Sequence, residues 1–168
     1  RLAIESKGDI DLFFKKLDNM VNLCIDQLLE RFEQQCKKKV KNAPFLMGQG
    51  VWIDSDNLDW EDEVREVLKH GTLSMGFIGL AETLKSLIGK HHGESEEAQK
   101  LGLKIVGHLR ERMDEESQKR KLNFTLLATP AEGLSGRFVN IDKKRYGIIE
   151  GITDRDYYTN SFHVPVYY

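Results

Sequence analysis

The residues whose types and spacing could do chemistry lie in the sequence NFTLLATPAEGLSGR, residues 123–137. Asn123–Ala128 has the composition of a strand. Thr129 is placed to cap a following helix, Pro130 suits its first position, and Glu132 would complete a capping box. A helix that begins there directs unpaired backbone N–H groups and the positive end of its dipole outward. Such a junction could bind an anion such as a phosphate.

A second strand-to-helix junction is predicted in the sequence TLSMGFIGLAETLKSLI, residues 72–88. It begins as an extended apolar run that contains Gly76 and Gly79, and it changes to helical spacing from Leu80 onward. A Gly-x-x-Gly pair is weak support for nucleotide binding, because glycines at such junctions also serve tight packing, which is the favoured interpretation here. The junction at Thr129 has a similar alternative, since many structural helices begin with a capping box.

The sequence YYTNSFHVPV, residues 157–166, places short polar side chains between aromatic rings. Polar groups packed in this way suggest the wall of a binding site. The favoured alternative is a turn followed by a strand, because Thr159, Asn160 and Ser161 readily hydrogen-bond to their own backbone. His163 would then precede a final apolar strand.

Two long helices are predicted to position these junctions. Apolar residues recur at helical spacing over Ile10–Cys36, which predicts one amphipathic helix. Ser95 is placed to cap a second helix that reaches about Lys119. Cys24 and Cys36 lie twelve positions apart on the first helix, about 18 Å along its axis, so a disulfide between them is excluded.

The region between the long helices is less regular. Residues 45–53 are predicted to form a strand or an extended connection. The acidic sequence DSDNLDWED, residues 54–62, lacks the glycine and the final glutamate of an EF-hand, so capping of a helix over residues 59–70 explains it better. Near the end of the chain, residues 143–146 are predicted to begin a loop.

His91, His92 and Glu94 are residue types that bind metal ions, and they cluster in a predicted loop. Loop histidines without a further spaced ligand usually bind none, so we expect no metal there. The sequence contains no Ser, His and Asp arrangement, Walker loop or zinc-hydrolase helix. The residues by themselves therefore indicate an α/β piece with one anion site.

Length and composition limit the classes of protein to consider. A chain of 168 residues with 31% charged and 40% hydrophobic residues is typical of one soluble globular domain, or a large piece of one. A formal net charge of -2 gives no broad basic surface, so nucleic acid is not an expected partner. No apolar stretch approaches the roughly 20 residues that span a bilayer, so we expect no membrane association and a cytoplasmic location.

Both ends of the sequence suggest a piece of a larger protein. The chain starts at Arg1 without a methionine, and it stops at the apolar sequence FHVPVYY. We expect residues 1–168 to be a single fragment of one domain, truncated at both ends. The alternative is an independently folding domain with processed ends.

Three segments together resemble one family. TLSMGFIGLAETL, NFTLLATPAEGLSGRF and GITDRDYYTNSFHVPV are similar to successive motifs of the large subunit of anaerobic, class III ribonucleoside-triphosphate reductase, and their order and spacing agree. The resemblance covers essentially the whole chain, and the opening RLAIESKGD resembles the region that follows the finger loop of the family.

The resemblance implies a fold and a chemistry. The fold would be part of a ten-stranded α/β barrel, the ribonucleotide reductase and glycyl-radical enzyme fold, with long amphipathic helices. A glycyl radical would generate a cysteine thiyl that abstracts the ribose 3′ hydrogen, after which the 2′-hydroxyl is lost. The family also implies an iron-sulfur activase that uses S-adenosylmethionine, formate as the common reductant, a structural zinc, ATP and dNTP effectors, and a homodimer.

The resemblance also implies which parts this chain contributes. The radical cysteine would lie before Arg1, and the glycyl-radical loop and zinc cysteines beyond Tyr168, so we expect no catalytic residue, cofactor or metal here and no turnover by the chain alone. The residues that resemble the substrate-phosphate end of the barrel are Thr129, Pro130, Ala131, Glu132 and Gly133. The residues expected to form a neighbouring site wall are Gly76, Gly79, Tyr158, Thr159, Asn160, Ser161 and His163.

Two alternatives to this function stay open at the level of the sequence. One is a self-contained nucleotide-binding or protein-interaction module. The other is a different glycyl-radical enzyme, such as a relative of the formate or diol lyases, which would share the barrel but should lack this combination of motifs.

Overall fold

The computed structural model describes residues 1–162 of the chain as an α/β structure. In that part of the chain, the two strands β1 and β2 pair in parallel in one sheet. The elements in chain order are α1 (Leu2–Ser6), α2 (Ile10–Cys36), α3 (Pro44–Met47), α4 (Arg65–Leu68), β1 (Thr72–Phe77), α5 (Leu80–Ile88), α6 (Glu96–Arg120), β2 (Asn123–Ala128) and α7 (Glu132–Tyr146).

The described chain divides into two compact units. The first unit comprises residues 1–21, 76–111 and 126 onward, and the second comprises residues 22–75 and 112–125. Both strands and both long helices contribute residues to each unit.

The bounds predicted for the two long helices are confirmed by α2 and α6. Asp9 caps α2 by accepting a hydrogen bond of 2.9 Å from the backbone N–H of Leu12 to its side chain. Ser95 caps α6 in the same way, through a bond of 3.2 Å from the N–H of Ala98. The predicted separation of the two cysteines also holds, because Cys24 and Cys36 lie on one continuous helix and both are free thiols.

The core of the first unit forms where short and long helices bury apolar residues. Helix α1 packs against α5. One face of α5 is buried, as its apolar spacing predicts, and this face carries Ala81, Leu84 and Leu87. The buried apolar residues of this unit include Ala3, Phe13, Ala81, Leu84, Leu87, Ile105, Val139, Ile152 and Tyr158.

The second unit departs from the sequence predictions in residues 45–53. The predicted strand is wrong, since Pro44 begins the short helix α3 at its first position, where its missing N–H is not needed. Helix α3 brings Met47 into a buried apolar cluster with Val40, Val64 and Val67.

The predicted helix over residues 59–70 is also wrong, because only α4 (Arg65–Leu68) is helical there. The backbone of residues 62–64, which precedes α4, is hydrogen-bonded to residues 38–40 instead. The N–H of Val40 donates to the carbonyl of Asp62 at 3.0 Å, and the N–H of Val64 donates to the carbonyl of Lys38 at 2.9 Å. These long-range bonds occupy groups that a helix would need.

Helix α7 is longer at its carboxyl end than predicted. Residues 143–146 are its last turn rather than the start of a loop, and Gly147 ends the helix by donating its N–H to the carbonyl of Lys143 at 3.0 Å. Three basic residues in this turn favour it, because cations stabilise the negative end of the helix dipole.

No helix within residues 1–162 combines the length and the apolar character needed to cross a membrane.

Candidate anion-binding site

The junction between β2 and α7 is built differently from its prediction. The backbone N–H of Thr129 donates to the carbonyl of Phe77 at 3.2 Å, so Thr129 continues the pairing of the strands. Helix α7 begins only at Glu132, and Ala131 precedes it without a side-chain capping bond. The predicted cap at Thr129, the helical position of Pro130 and the capping box of Glu132 are therefore wrong.

The start of α7 nevertheless presents backbone donors to solvent. The first bond within the helix runs from the N–H of Ser135 to the carbonyl of Ala131 at 2.8 Å. The amides of Glu132, Gly133 and Leu134 come before it and have no acceptor within the helix. All three residues are exposed, and a Cβ placed on Gly133 would meet no atom within 4 Å. The start of α7 is therefore exposed.

The junction between β1 and α5 lies beside this helix start. The two junctions meet at Gly76, where a Cβ atom would lie 1.8 Å from Oγ1 of Thr129. Gly79 is buried and has a positive φ of 78°, which is the left-handed conformation that glycine adopts without strain. The predicted packing role of these glycines agrees with this geometry.

Residues 158–162, which we call the strap, contact both junctions. The N–H of Gly79 donates to the carbonyl of Thr159 at 2.6 Å. The N–H of Ser161 donates to the carbonyl of Thr129 at 3.3 Å. The strap therefore connects the ends of the two strands.

Asn160 braces the strap from inside. Its side-chain nitrogen donates to Oγ of Ser135 at 3.3 Å and to the carbonyl of Tyr158 at 3.1 Å, and its side-chain oxygen accepts from the N–H of Phe162 at 2.9 Å. These bonds are those of a stabilised turn, as the turn interpretation of the sequence predicted. Ser161 is exposed beside the junction. His163 lies outside the described residues.

Glu82 is a buried carboxylate that sequence reasoning missed. It lies in the first turn of α5 and is only 3% exposed. Its Oε1 atom accepts from the guanidinium of Arg155 at 2.6 Å and from the hydroxyl of Thr159 at 3.0 Å. The N–H of Thr159 lies 3.2 Å from Oε2. The only signal in the sequence was an acidic residue three positions after the glycine that precedes the helix.

A second buried carboxylate, Asp142, lies on the inner face of α7 and is 1% exposed. It accepts hydrogen bonds from the hydroxyl of Tyr158 at 3.0 Å and from Nε of Arg1 at 2.8 Å. Burial is the main cause that raises the pKa of Tyr158 well above its usual range, and the negative charge of Asp142 adds to it. Tyr158 therefore acts as a neutral hydrogen-bond donor.

The exposed start of α7 and the strap thus lie together at the ends of two parallel strands. A sequence profile of the family described as "Anaerobic ribonucleoside-triphosphate reductase" matches residues 1–168. The chain belongs to this family. The family inferred from the three sequence motifs is thus confirmed.

Relatives in this family support the assignment over nearly the whole chain. The anaerobic ribonucleoside-triphosphate reductase of Salmonella typhimurium is 37% identical over 99% of this chain and 24% of its own length. The enzyme of the same name from Enterobacteria phage T4 is 31% identical over 94% of this chain and 24% of its length. The chain thus spans about a quarter of the length of the curated relatives it matches.

A solved structure shows the same fold. The anaerobic ribonucleotide reductase from Thermotoga maritima, crystallised with glycerol in the active site, matches with a TM-score of 0.65 at 19% identity. The match covers 97% of this chain and 25% of that chain. It supports the α/β assignment for this member of the anaerobic reductase family.

The loop with His91 and His92 is held by hydrogen bonds to the side chain of Glu94. Glu94 accepts a bond of 2.7 Å from the N–H of His91 and one of 3.0 Å from Nζ of Lys85. The backbone bond from His91 is the main cause that lowers the pKa of Glu94. Within residues 1–162, no group of three or more His, Cys, Asp and Glu side chains could hold a metal ion.

Proposed function

We propose that this chain supplies the substrate-phosphate end of an anaerobic ribonucleoside-triphosphate reductase, the activity that its relatives carry in their names. The full protein would reduce ribonucleoside triphosphates to deoxyribonucleoside triphosphates by glycyl and thiyl radical chemistry. This chain would contribute barrel scaffold and phosphate contacts, and it would be inactive alone.

The start of α7 carries this proposal. The amides of Glu132, Gly133 and Leu134 point away from the helix at the end of β2. Helix dipoles and unpaired amides together favour phosphate groups. Thr129, Pro130 and Ala131 would set the direction of these amides, while Gly76, Gly79 and the strap would form the adjoining wall.

The wider context of the site belongs to the same proposal. The α/β fold of this chain would form part of a ten-stranded barrel in the longer protein, which would be a cytoplasmic homodimer. A radical S-adenosylmethionine activase with an iron-sulfur cluster would install the glycyl radical. Formate, a structural zinc, and ATP and dNTP effectors would act on parts of the protein outside this chain.

Substitution at the first helical position gives a sharp test of the phosphate contacts. Glu132→Pro removes one amide donor, yet proline is well tolerated at this position and the preceding residue Ala131 is not helical. Glu132→Gln is the matched control, because it keeps the amide and removes a carboxylate that would repel phosphate. Circular dichroism would verify that both variants keep their helix content.

The measurement is a titration of the chain with ATP, followed by amide NMR shifts. We expect shifts at Gly133 and Leu134, affinity about tenfold weaker in Glu132→Pro, as for loss of one charge-assisted hydrogen bond, and equal or tighter binding in Glu132→Gln. Equal affinity in the two variants, or shifts confined to other residues, would refute the phosphate contacts.

A further inference from the structure

We infer that Glu82 is a positioning residue for the proposed phosphate site, acting through the strap rather than by contact with the ligand. This inference rests on the proposed function. It assigns a role to a carboxylate that lies on a different helix from the amides themselves and is held away from solvent.

The surroundings of Glu82 show that it anchors the strap. A buried carboxylate is costly unless it is paired and hydrogen-bonded. Arg155 neutralises the charge at 2.6 Å, and Thr159 supplies both its N–H and its hydroxyl. One side chain of α5 thus fixes the backbone and the side chain of the same strap residue.

The hydrogen bonds of the strap carry this anchor to the start of α7. Thr159 accepts from the N–H of Gly79 through its carbonyl, and two residues later Ser161 donates to the carbonyl of Thr129. Thr129 is only three residues before Glu132, where α7 begins. A shift of Thr159 would therefore release the carbonyl of Thr129.

Thr129 is held from two sides in this arrangement. The strap bonds its carbonyl on one side, and the backbone of β1 approaches it at Gly76 on the other. The short connection of residues 129–131 then has little freedom, and the first amides of α7 are preorganised. Preorganised donors bind an anion more tightly because less ordering is needed on binding.

Two variants test the role of Glu82 in the chain. Glu82→Gln removes the negative charge that Arg155 and Thr159 share. Thr159→Val removes the hydroxyl that donates to Glu82 and keeps the shape of the side chain. The matched control is Glu5→Gln, because Glu5 is another ion-paired carboxylate of the first unit and bonds to Lys16 and Tyr146 instead of the strap.

Two readouts separate positioning from general stability. The first is the dissociation constant for ATP, and the second is hydrogen exchange at the amides of Gly79 and Ser161. We expect Glu82→Gln to weaken ATP binding about tenfold and to speed exchange at both amides, as for loss of a hydrogen bond to a charged group. Thr159→Val should show the same changes to a smaller degree, and Glu5→Gln should leave ATP binding unchanged.

Each contrary result has a distinct meaning. Faster exchange in the strap with unchanged ATP affinity would overturn the inference and leave the proposed function standing. Equal weakening in Glu82→Gln and Glu5→Gln would also overturn it, because the effect would then be general. If Glu82→Gln does not fold, Thr159→Val decides alone. Absence of ATP binding by the unaltered chain would overturn the proposed function and this inference together.

Discussion

Gly76 and Thr129 lie so close that a Cβ atom on Gly76 would be 1.8 Å from Oγ1 of Thr129. A carbon and an oxygen atom that are not bonded to each other do not tolerate that distance. The two residues lie next to each other at the ends of the neighbouring strands β1 and β2, although they are far apart in the chain. Glycine at position 76 is therefore a condition for the close approach of the two junctions.

The first prediction concerns this contact. Gly76→Ala should lower the free energy of unfolding by about 1–3 kcal/mol, as for other overpacked sites. Thr129→Ala removes Oγ1 and leaves Cβ as the nearest atom, at 3.2 Å. The double variant should therefore lose less than the sum of the two single variants in urea denaturation. Strict additivity would contradict the contact.

The second prediction concerns the hydroxyl of Tyr158. Tyr158→Phe removes its hydrogen bond to the buried carboxylate of Asp142, and it should lower the free energy of unfolding at pH 8 by about 1.5–3 kcal/mol. Tyr157→Phe, at the neighbouring tyrosine, is the control and should cost less, since Tyr157 is only partly buried.

The difference in the free energy of unfolding between wild type and Tyr158→Phe should depend on pH under alkaline conditions. The folded state raises the pKa of Tyr158 above that of an unfolded tyrosine, which is near 10. Its stabilising contribution is thus complete below about pH 10 and is lost as the pH rises toward the folded pKa. Urea denaturation from pH 8 to 11 should show the gap between wild type and Tyr158→Phe narrowing, and a constant gap would refute the shift.

The third prediction concerns an apolar patch in the second unit. Five large side chains within a short segment have exposed fractions between 41% and 70%. They are Phe45, Val51, Trp52, Ile53 and Trp60. Patches of this kind favour association, so light scattering across a concentration series should show self-association of the chain.

A charge in the patch should reduce this association. Ile53→Lys places an ammonium group where the residue is 63% exposed, and Leu103→Lys is the control at a single apolar residue that is 69% exposed in the first unit. We expect the first variant to shift the chain toward monomer and the second to leave association unchanged. A wild-type chain that stays monomeric at every concentration would contradict the role of the patch.

The sequence predicted those elements whose signals are local. Apolar spacing located α2, the cap at Ser95 located the start of α6, and the change of period at Leu80 located the start of α5. The structure also joins Gly79 and Thr159 through a backbone hydrogen bond. The roles of these residues as a site wall stay a prediction.

Long-range contacts explain what the sequence could not predict. Thr129 has the composition of a cap, but its N–H pairs with Phe77 and α7 begins only at Glu132, three residues later. Val40 and Asp62 formed a backbone bond that displaced a predicted helix. Local patterns carry no information about partners so distant along the chain. The same distance concealed Glu82, whose partners lie more than seventy residues away.

The separation in sequence between Glu82 and the strap has a kinetic consequence. A residue pair 77 positions apart closes a long loop, and the entropy of that closure is recovered only after the intervening helices and strands are in place. We therefore expect the strap to dock late, after the transition state for folding. Variants at Thr159 should accelerate unfolding and leave the folding rate nearly unchanged. The site would thus be the last part of the first unit to form and the first to open.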